Sequence, residues 1–163
     1  MLKKLILSTL ICFYANASTL KIDDKISTFS LVNQFDKIHT ITSEISTIIV
    51  TFQRETSNLV NDFLSSKQSD FLDKNNTIFI NNISCNPSII VKMFTIPKMR
   101  DYKYDILLIY DENNKKFMEE ENKITVYFIK NGFVKDIKFL SSIYELEGVF
   151  KWLFLIFKQL IFL

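Results

Sequence analysis

The stretch Thr47–Leu64, TIIVTFQRETSNLVNDFL, constrains this chain more than any other. Its first half, Thr47 to Phe52, is a short β-branched run ending in an aromatic, the pattern of a strand buried on both faces. Gln53-Arg54-Glu55 interrupts the run. Thr56 or Ser57 is then placed to cap a helix that buries Leu59, Val60, Phe63 and Leu64. A buried strand that passes through a short loop into a helix N-terminus is where α/β domains keep their chemistry. Here that loop holds no Cys, His or Gly.

The flanking segments build a sheet around this unit. Thr28–Val32 and Ile38–Ile41 alternate about Asn33-Gln34-Phe35-Asp36-Lys37 and read as a β-hairpin. His39, the only histidine, falls on its polar face, and nothing nearby completes a metal site. The helix after Ser57 continues or restarts at Ser65-Ser66 and stops at Asn75-Asn76. Thr77–Ile83 then returns as a strand parallel to the first, as a helical crossover requires. Asn86-Pro87 starts a helix over Ser88–Phe94, and Tyr104–Tyr110 is a third apolar strand. Asp111 to Asn114 is a turn. Lys115–Asn122 is a charged excursion anchored by Phe117 and Met118, and its Glu119-Glu120-Glu121 run reads as solvated loop. Ile124–Ile129 and Phe133–Phe139 flank Lys130-Asn131-Gly132, whose Asn-Gly pair is a strong hairpin signal.

Several chemistries are excluded by what is missing. Two glycines in the whole chain cannot build a phosphate cradle, and neither G-x-G-x-x-G nor a P-loop occurs. A Ser-His-Asp triad would have to use His39, with no nucleophile elbow around any serine. The carboxylate pairs Asp23-Asp24 and Asp111-Glu112 read as turn and cap chemistry. No cofactor and no metal is expected. A formal net charge of +2 with 23% charged residues argues against a nucleic-acid partner.

The N-terminus has the form of a signal peptide: Lys3 and Lys4, an apolar core from Leu5 to Tyr14, and Ala15-Asn16-Ala17 ahead of a cut between Ala17 and Ser18. Residues 1–17 are therefore read as removed, 18–150 as the domain and 151–163 as an apolar extension of a C-terminal helix. The expected location is the periplasm. Of the two cysteines, Cys12 and Cys85, only Cys85 survives cleavage. It stands just before a helix start, where the dipole favours a thiolate. From Val149 the tail is apolar on most sides, broken only by Lys151, Lys158 and Gln159. It is a candidate for core packing, for peripheral membrane contact or for partner binding.

The order hairpin, buried strand, loop–helix, parallel strand, helix, strand, Asn-Gly hairpin and closing helix resembles the thioredoxin-like fold. The likeness is to the exported branch that opens with a hairpin, here Phe29-Ser30-Leu31 through Ile41, and it runs from Thr28 to about Phe150. Ile48–Phe52 is similar to the strand before that family's active-site loop. Asn86-Pro87 with the helix through Phe94 resembles the segment leading to its cis-proline, for which Ile96-Pro97 is the candidate. Lys130-Asn131-Gly132 resembles the tip of its last hairpin. The resemblance implies an α/β three-layer sandwich with a mixed central sheet, an N-terminal hairpin and a long apolar C-terminal helix. Where the family carries C-x-x-C this chain has Gln53-Arg54-Glu55-Thr56-Ser57, and the T-x-x-C of peroxiredoxins is missing as well.

The implied protein is a thioredoxin-like member of the cell envelope without dithiol exchange, one that binds an envelope protein partner rather than acting as an enzyme. The expected binding loop comprises Gln53, Arg54, Glu55, Thr56, Ser57, Pro97, Lys98 and Arg100. The alternative is a mono-thiol oxidoreductase or thiol sensor acting through Cys85. A buried Cys85 would speak for binding. An exposed one close to the Pro97 loop would speak for thiol chemistry.

Overall fold

A computed structural model describes residues 19–111 and 115–151. Seven strands form one mixed sheet in the order β2-β1-β5-β4-β3-β6-β7. They are β1 (Phe29–Asn33), β2 (Ile38–Ile41), β3 (Thr47–Thr51), β4 (Thr77–Asn82), β5 (Leu107–Ile109), β6 (Ile124–Lys130) and β7 (Phe133–Leu140). Every residue of β3 is buried, as its β-branched run implies. It pairs parallel with β4, Ile49 opposite Phe79, and antiparallel with β6, Ile49 opposite Val126.

Helix α1 spans Arg54–Ser65 and α2 spans Phe71–Lys74. Successive helical turns follow over Ser88–Ile90, Val91–Thr95 and Ile96–Met99, and a closing helix covers 143–151. Ser142 and Glu145 start that last helix reciprocally. The Glu145 N–H donates to Ser142 Oγ at 3.3 Å, and the Ser141 N–H donates to the Glu145 carboxylate at 2.6 Å.

The helices lie on one face of the sheet. β3, β4 and β5 are successive parallel neighbours, and right-handed crossovers advancing in one direction put their helices on the same side. Val60, Phe63, Val91, Met99, Leu146 and Phe150 accordingly share one core cluster, with the Phe63 and Phe150 rings stacked 5.4 Å apart. The helical third layer expected from the sequence is not there among the described residues. The opposite face, with Ile48, Val50, Ile80 and Tyr127, is closed by Leu20, Ile26 and Phe117. These come from the N-terminal segment, bridged to β7 through Lys25 and Phe133, and from the charged excursion, which is anchored by Phe117 as expected.

Four sequence expectations need correction. First, α1 is not capped by Thr56 or Ser57. It begins at Arg54, directly after an extended Gln53, so the supposed loop is the first helical turn. Second, Pro97 is not a cis-proline: it lies within a helical turn, and no described peptide bond is cis. The widened π-type turn over Val91–Thr95 precedes the proline, where its ring would otherwise press on the carbonyl one turn back.

Third, β5 is shorter than Tyr104–Tyr110. The fully buried Gln34 side chain accepts from the Ile106 N–H at 2.8 Å and donates to the Tyr104 carbonyl at 2.9 Å, so a side chain replaces ladder bonds there. Fourth, His39 is the hydrogen-bonded histidine expected but lies on the face of Leu31 and Ile41, with Ile38 exposed on the other. It lies 3.3 Å from Asp105, and both touch the Asn33 amide.

The Asn-Gly hairpin forms as expected, with Asn131 at φ 54° and Gly132 at φ 77°. A Cβ on Gly132 would also meet Ser43 Cβ at 2.9 Å. The signal segment, most of the Asp111–Asn114 turn and the extension at 152–163 lie outside the described residues.

Tyr127 makes the opposite face sensitive to alkali. It is fully buried, its hydroxyl accepts from the Met118 N–H at 2.6 Å, and burial raises its pKa from 10.0 to about 12. The native state therefore holds a proton that the unfolded chain releases first. Stability is intact below pH 10 and should fall as the pH rises from 10 towards about 12, by about 1.4 kcal/mol per pH unit. Urea unfolding across that window should show this decline, and Tyr127→Phe should make it shallower, leaving the share of the other raised phenols, Tyr104 foremost.

Candidate functional site

The carboxyl end of β3 meets the start of α1 with only Phe52 and Gln53 between them. Thr51, the last β3 residue, sits in register with Asn81 on β4. Polar residues therefore close two adjacent apolar strands at the end where open α/β sheets bind ligands. The Thr51 hydroxyl donates to Asn81 Oδ1 at 3.2 Å, and Asn81 Nδ2 donates to Ser57 Oγ at 2.9 Å. Asn61, one turn along α1, reaches the same Ser57 oxygen at 3.4 Å. Tyr104 then donates to Asn61 Oδ1 at 3.0 Å. All five residues are buried, and burial raises the pKa of the Tyr104 phenol, keeping it a donor. The network ties β3, β4, α1 and the approach to β5 together without an ionised group.

Above this floor lies a cleft of roughly 260 Å³ between the α1 N-terminus and the 88–99 helical turns. Gln53, Arg54, Ser57 and Lys98 of the expected binding loop line it, together with Asn58, Asn82, Asn86, Ile90 and Phe94. Glu55, Thr56, Pro97 and Arg100 are not among its lining residues. Thr56 donates to the Gln53 carbonyl at 3.0 Å, which pins the helix start. Arg100 is spent on the β1–β2 loop, donating to the Gln34 carbonyl at 2.9 Å and pairing with Asp36 at 3.3 Å. The Gln53 side chain also accepts from the Asn122 N–H at 2.8 Å, which brings the loop before β6 to the cleft. The sequence reading missed the asparagine wall. The pairing of Thr51 with Asn81 at the ends of two apolar runs was its available signal.

Cys85 is exposed in the turn that leads into residue 88, and its thiol lies 4.0 Å from the Ser84 hydroxyl. Exposure meets one half of the criterion set from the sequence and rules out a packing role; no contact of Cys85 with the Pro97 turn accompanies it among the described residues. Yet Cys85 is not among the residues lining the cleft. Among the described residues no group of three His, Cys, Asp or Glu side chains is arranged to hold a metal. A larger cavity of roughly 570 Å³ lies beside His39, Asp105 and Lys103, and Tyr102 lines both it and the cleft.

The Tyr104 hydroxyl is the network's outermost donor. Tyr104→Phe leaves Asn61 Oδ1 buried without it and should cost roughly 1–2 kcal/mol, measured as a lowered urea midpoint with unchanged slope. An unchanged midpoint would show that the network stabilises nothing.

No protein-family sequence profile matches the chain, and no curated protein is similar to it in sequence. Solved structures are similar to it in fold. A candidate protein disulfide isomerase from Bacteroides thetaiotaomicron superposes with a TM-score of 0.54 at 15% identity, over 80% of this chain and 86% of its own. A candidate thioredoxin from Neisseria meningitidis does so at 0.53 and 10%, over 82% and 91%. A peroxiredoxin-like protein from Aquifex aeolicus follows at 0.52 and 10%, over 83% and 89%. The chain thus has the thioredoxin-like α/β fold with a mixed sheet.

Proposed function

We propose that this is an exported thioredoxin-like protein of the cell envelope that binds a protein partner at the cleft beyond β3 and performs no dithiol exchange there. The observation that carries this reading is the composition of the cleft. Its floor is Ser57, Asn61 and Asn81, hydrogen-bonded to one another and, beneath them, to Thr51, and the chain's cysteines, Cys12 and Cys85, are not spaced as C-x-x-C. A dithiol cycle needs an attacking and a resolving thiol. The leader-like start with Lys3, Lys4 and Ala15-Asn16-Ala17 supports export. Among the described residues no helix is long and apolar enough to cross a membrane, and the apolar run beyond Val149 supports a peripheral contact instead.

The exposure of Cys85 favours one second reading, a mono-thiol protein that forms mixed disulfides. A single pair of experiments separates the two. The full chain should leave insulin disulfides unreduced. A photo-crosslinker at position 94 should retrieve the same envelope protein from wild type and from Cys85→Ser. Retrieval that disappears in Cys85→Ser, or that reductant reverses, would put the thiol reading first.

A further inference from the structure

The 88–99 helical turns present an unpartnered apolar stripe to solvent. Ile89, Ile90, Met93 and Phe94 are 63, 45, 61 and 63% exposed, and exposed Pro97 continues the stripe at helical spacing. Val91 and Met99 on the inner side are buried in the core, so the stripe is not needed to hold the turns down. Contiguous exposed apolar surface of this kind marks an interaction site. The only charged residues of these turns are Lys92 and Lys98, both exposed. Neither forms an ion pair among the described residues.

The stripe forms one wall of the cleft, through Ile90 and Phe94, and Arg54 stands on its α1 side. No Asp or Glu lines the cleft; Glu55 and Asp101, neighbours in sequence of lining residues, are not part of it. The lining carboxamides of Asn58 and Asn86 are exposed and make no hydrogen bond among the described residues. An Asn side chain donates and accepts as a peptide bond does.

We propose that the cleft seats an extended acidic segment of a partner protein that carries at least one large apolar side chain. This rests on the partner-binding reading and adds the partner's chemistry. The apolar side chain packs on Ile90 and Phe94, carboxylates face Lys98 and Arg54, and the segment's backbone meets Asn58 and Asn86. An anionic membrane would satisfy the lysines and the stripe. A bilayer surface is too broad to enter a concave cleft of roughly 260 Å³ walled with carboxamides, which an extended segment of chain can enter.

The test uses the full chain and fluorescence anisotropy with three short synthetic peptides. One alternates Glu and Asp about a central Leu and Phe, one is its lysine-for-acid counterpart, and one keeps the acids but replaces Leu and Phe by Ser. The first should bind, and each of the others should bind roughly tenfold more weakly or worse. R54E/K98E should reverse the preference between the acidic and the lysine peptide. Phe94→Ser, an exposed change with an unchanged thermal midpoint, should weaken the first peptide only. Equal binding of the acidic and lysine peptides overturns the proposal. So does uptake of the chain by phosphatidylglycerol vesicles without binding of any peptide. Failure of all three peptides while the crosslinker at position 94 still captures an envelope protein overturns the acidic chemistry and leaves partner binding standing.

Discussion

The hydrogen-bonded set Thr51–Asn81–Ser57–Asn61–Tyr104 is the interaction on which the rest of this structure depends. It joins the ends of two parallel strands to the first turns of α1 and to the segment that approaches β5. Polar side chains buried this deeply cost free energy unless each finds a partner. Here the partners come from four different segments, so the set holds only if all four take up their places. The start of α1 is fixed as a result. With Ser57 held by Asn81, the helix winds from Arg54 and leaves no loop of free residues between strand and helix. Nothing in the set is nucleophilic at neutral pH or able to change redox state. The carboxyl end of β3 is occupied here by hydroxyl and carboxamide groups hydrogen-bonded to one another.

Sheet topology decides where the remaining surface lies. Because β3, β4 and β5 advance in one direction, α1 and the 88–99 turns stand side by side on one face. The groove between neighbouring helices at the strand ends becomes the cleft. The turns that form its outer wall bury only Val91 and Met99 and leave Ile89, Ile90, Met93 and Phe94 exposed. The other face needs no helix, since Leu20, Ile26 and Phe117 cover it. Tyr127 completes that cover through its bond to Met118 and its edge-on contact with Phe117 at 5.6 Å.

Much of this was legible in the residues. The β-branched Thr47–Phe52 run, the parallel return at Thr77, the Asn131-Gly132 turn and the anchor at Phe117 all follow local rules that tertiary context did not override. Two of the misreadings share a cause: a polar side chain whose partner lies far away in sequence. Thr56 and Ser57 look like helix caps, but Ser57 is claimed by Asn81 on the next strand. Tyr104–Ile106 look like strand, but Gln34, some seventy residues earlier, takes their ladder bonds. Pro97, by resemblance the candidate cis-proline, instead sits in a helical turn behind a widened one. Of the expected binding residues, Gln53, Arg54, Ser57 and Lys98 reach one cleft because they flank the strand end. Arg100 does not, because Asp36 and the Gln34 carbonyl hold it elsewhere.

A double-mutant cycle on Ser57→Ala and Asn81→Leu in urea unfolding tests most directly whether this network organises the site. The two side chains share a 2.9 Å hydrogen bond and further partners on both sides. Their losses should therefore be non-additive, with a coupling energy above about 0.5 kcal/mol. Additive losses would mean that each residue acts alone, and that the polar floor neither fixes the start of α1 nor builds the cleft.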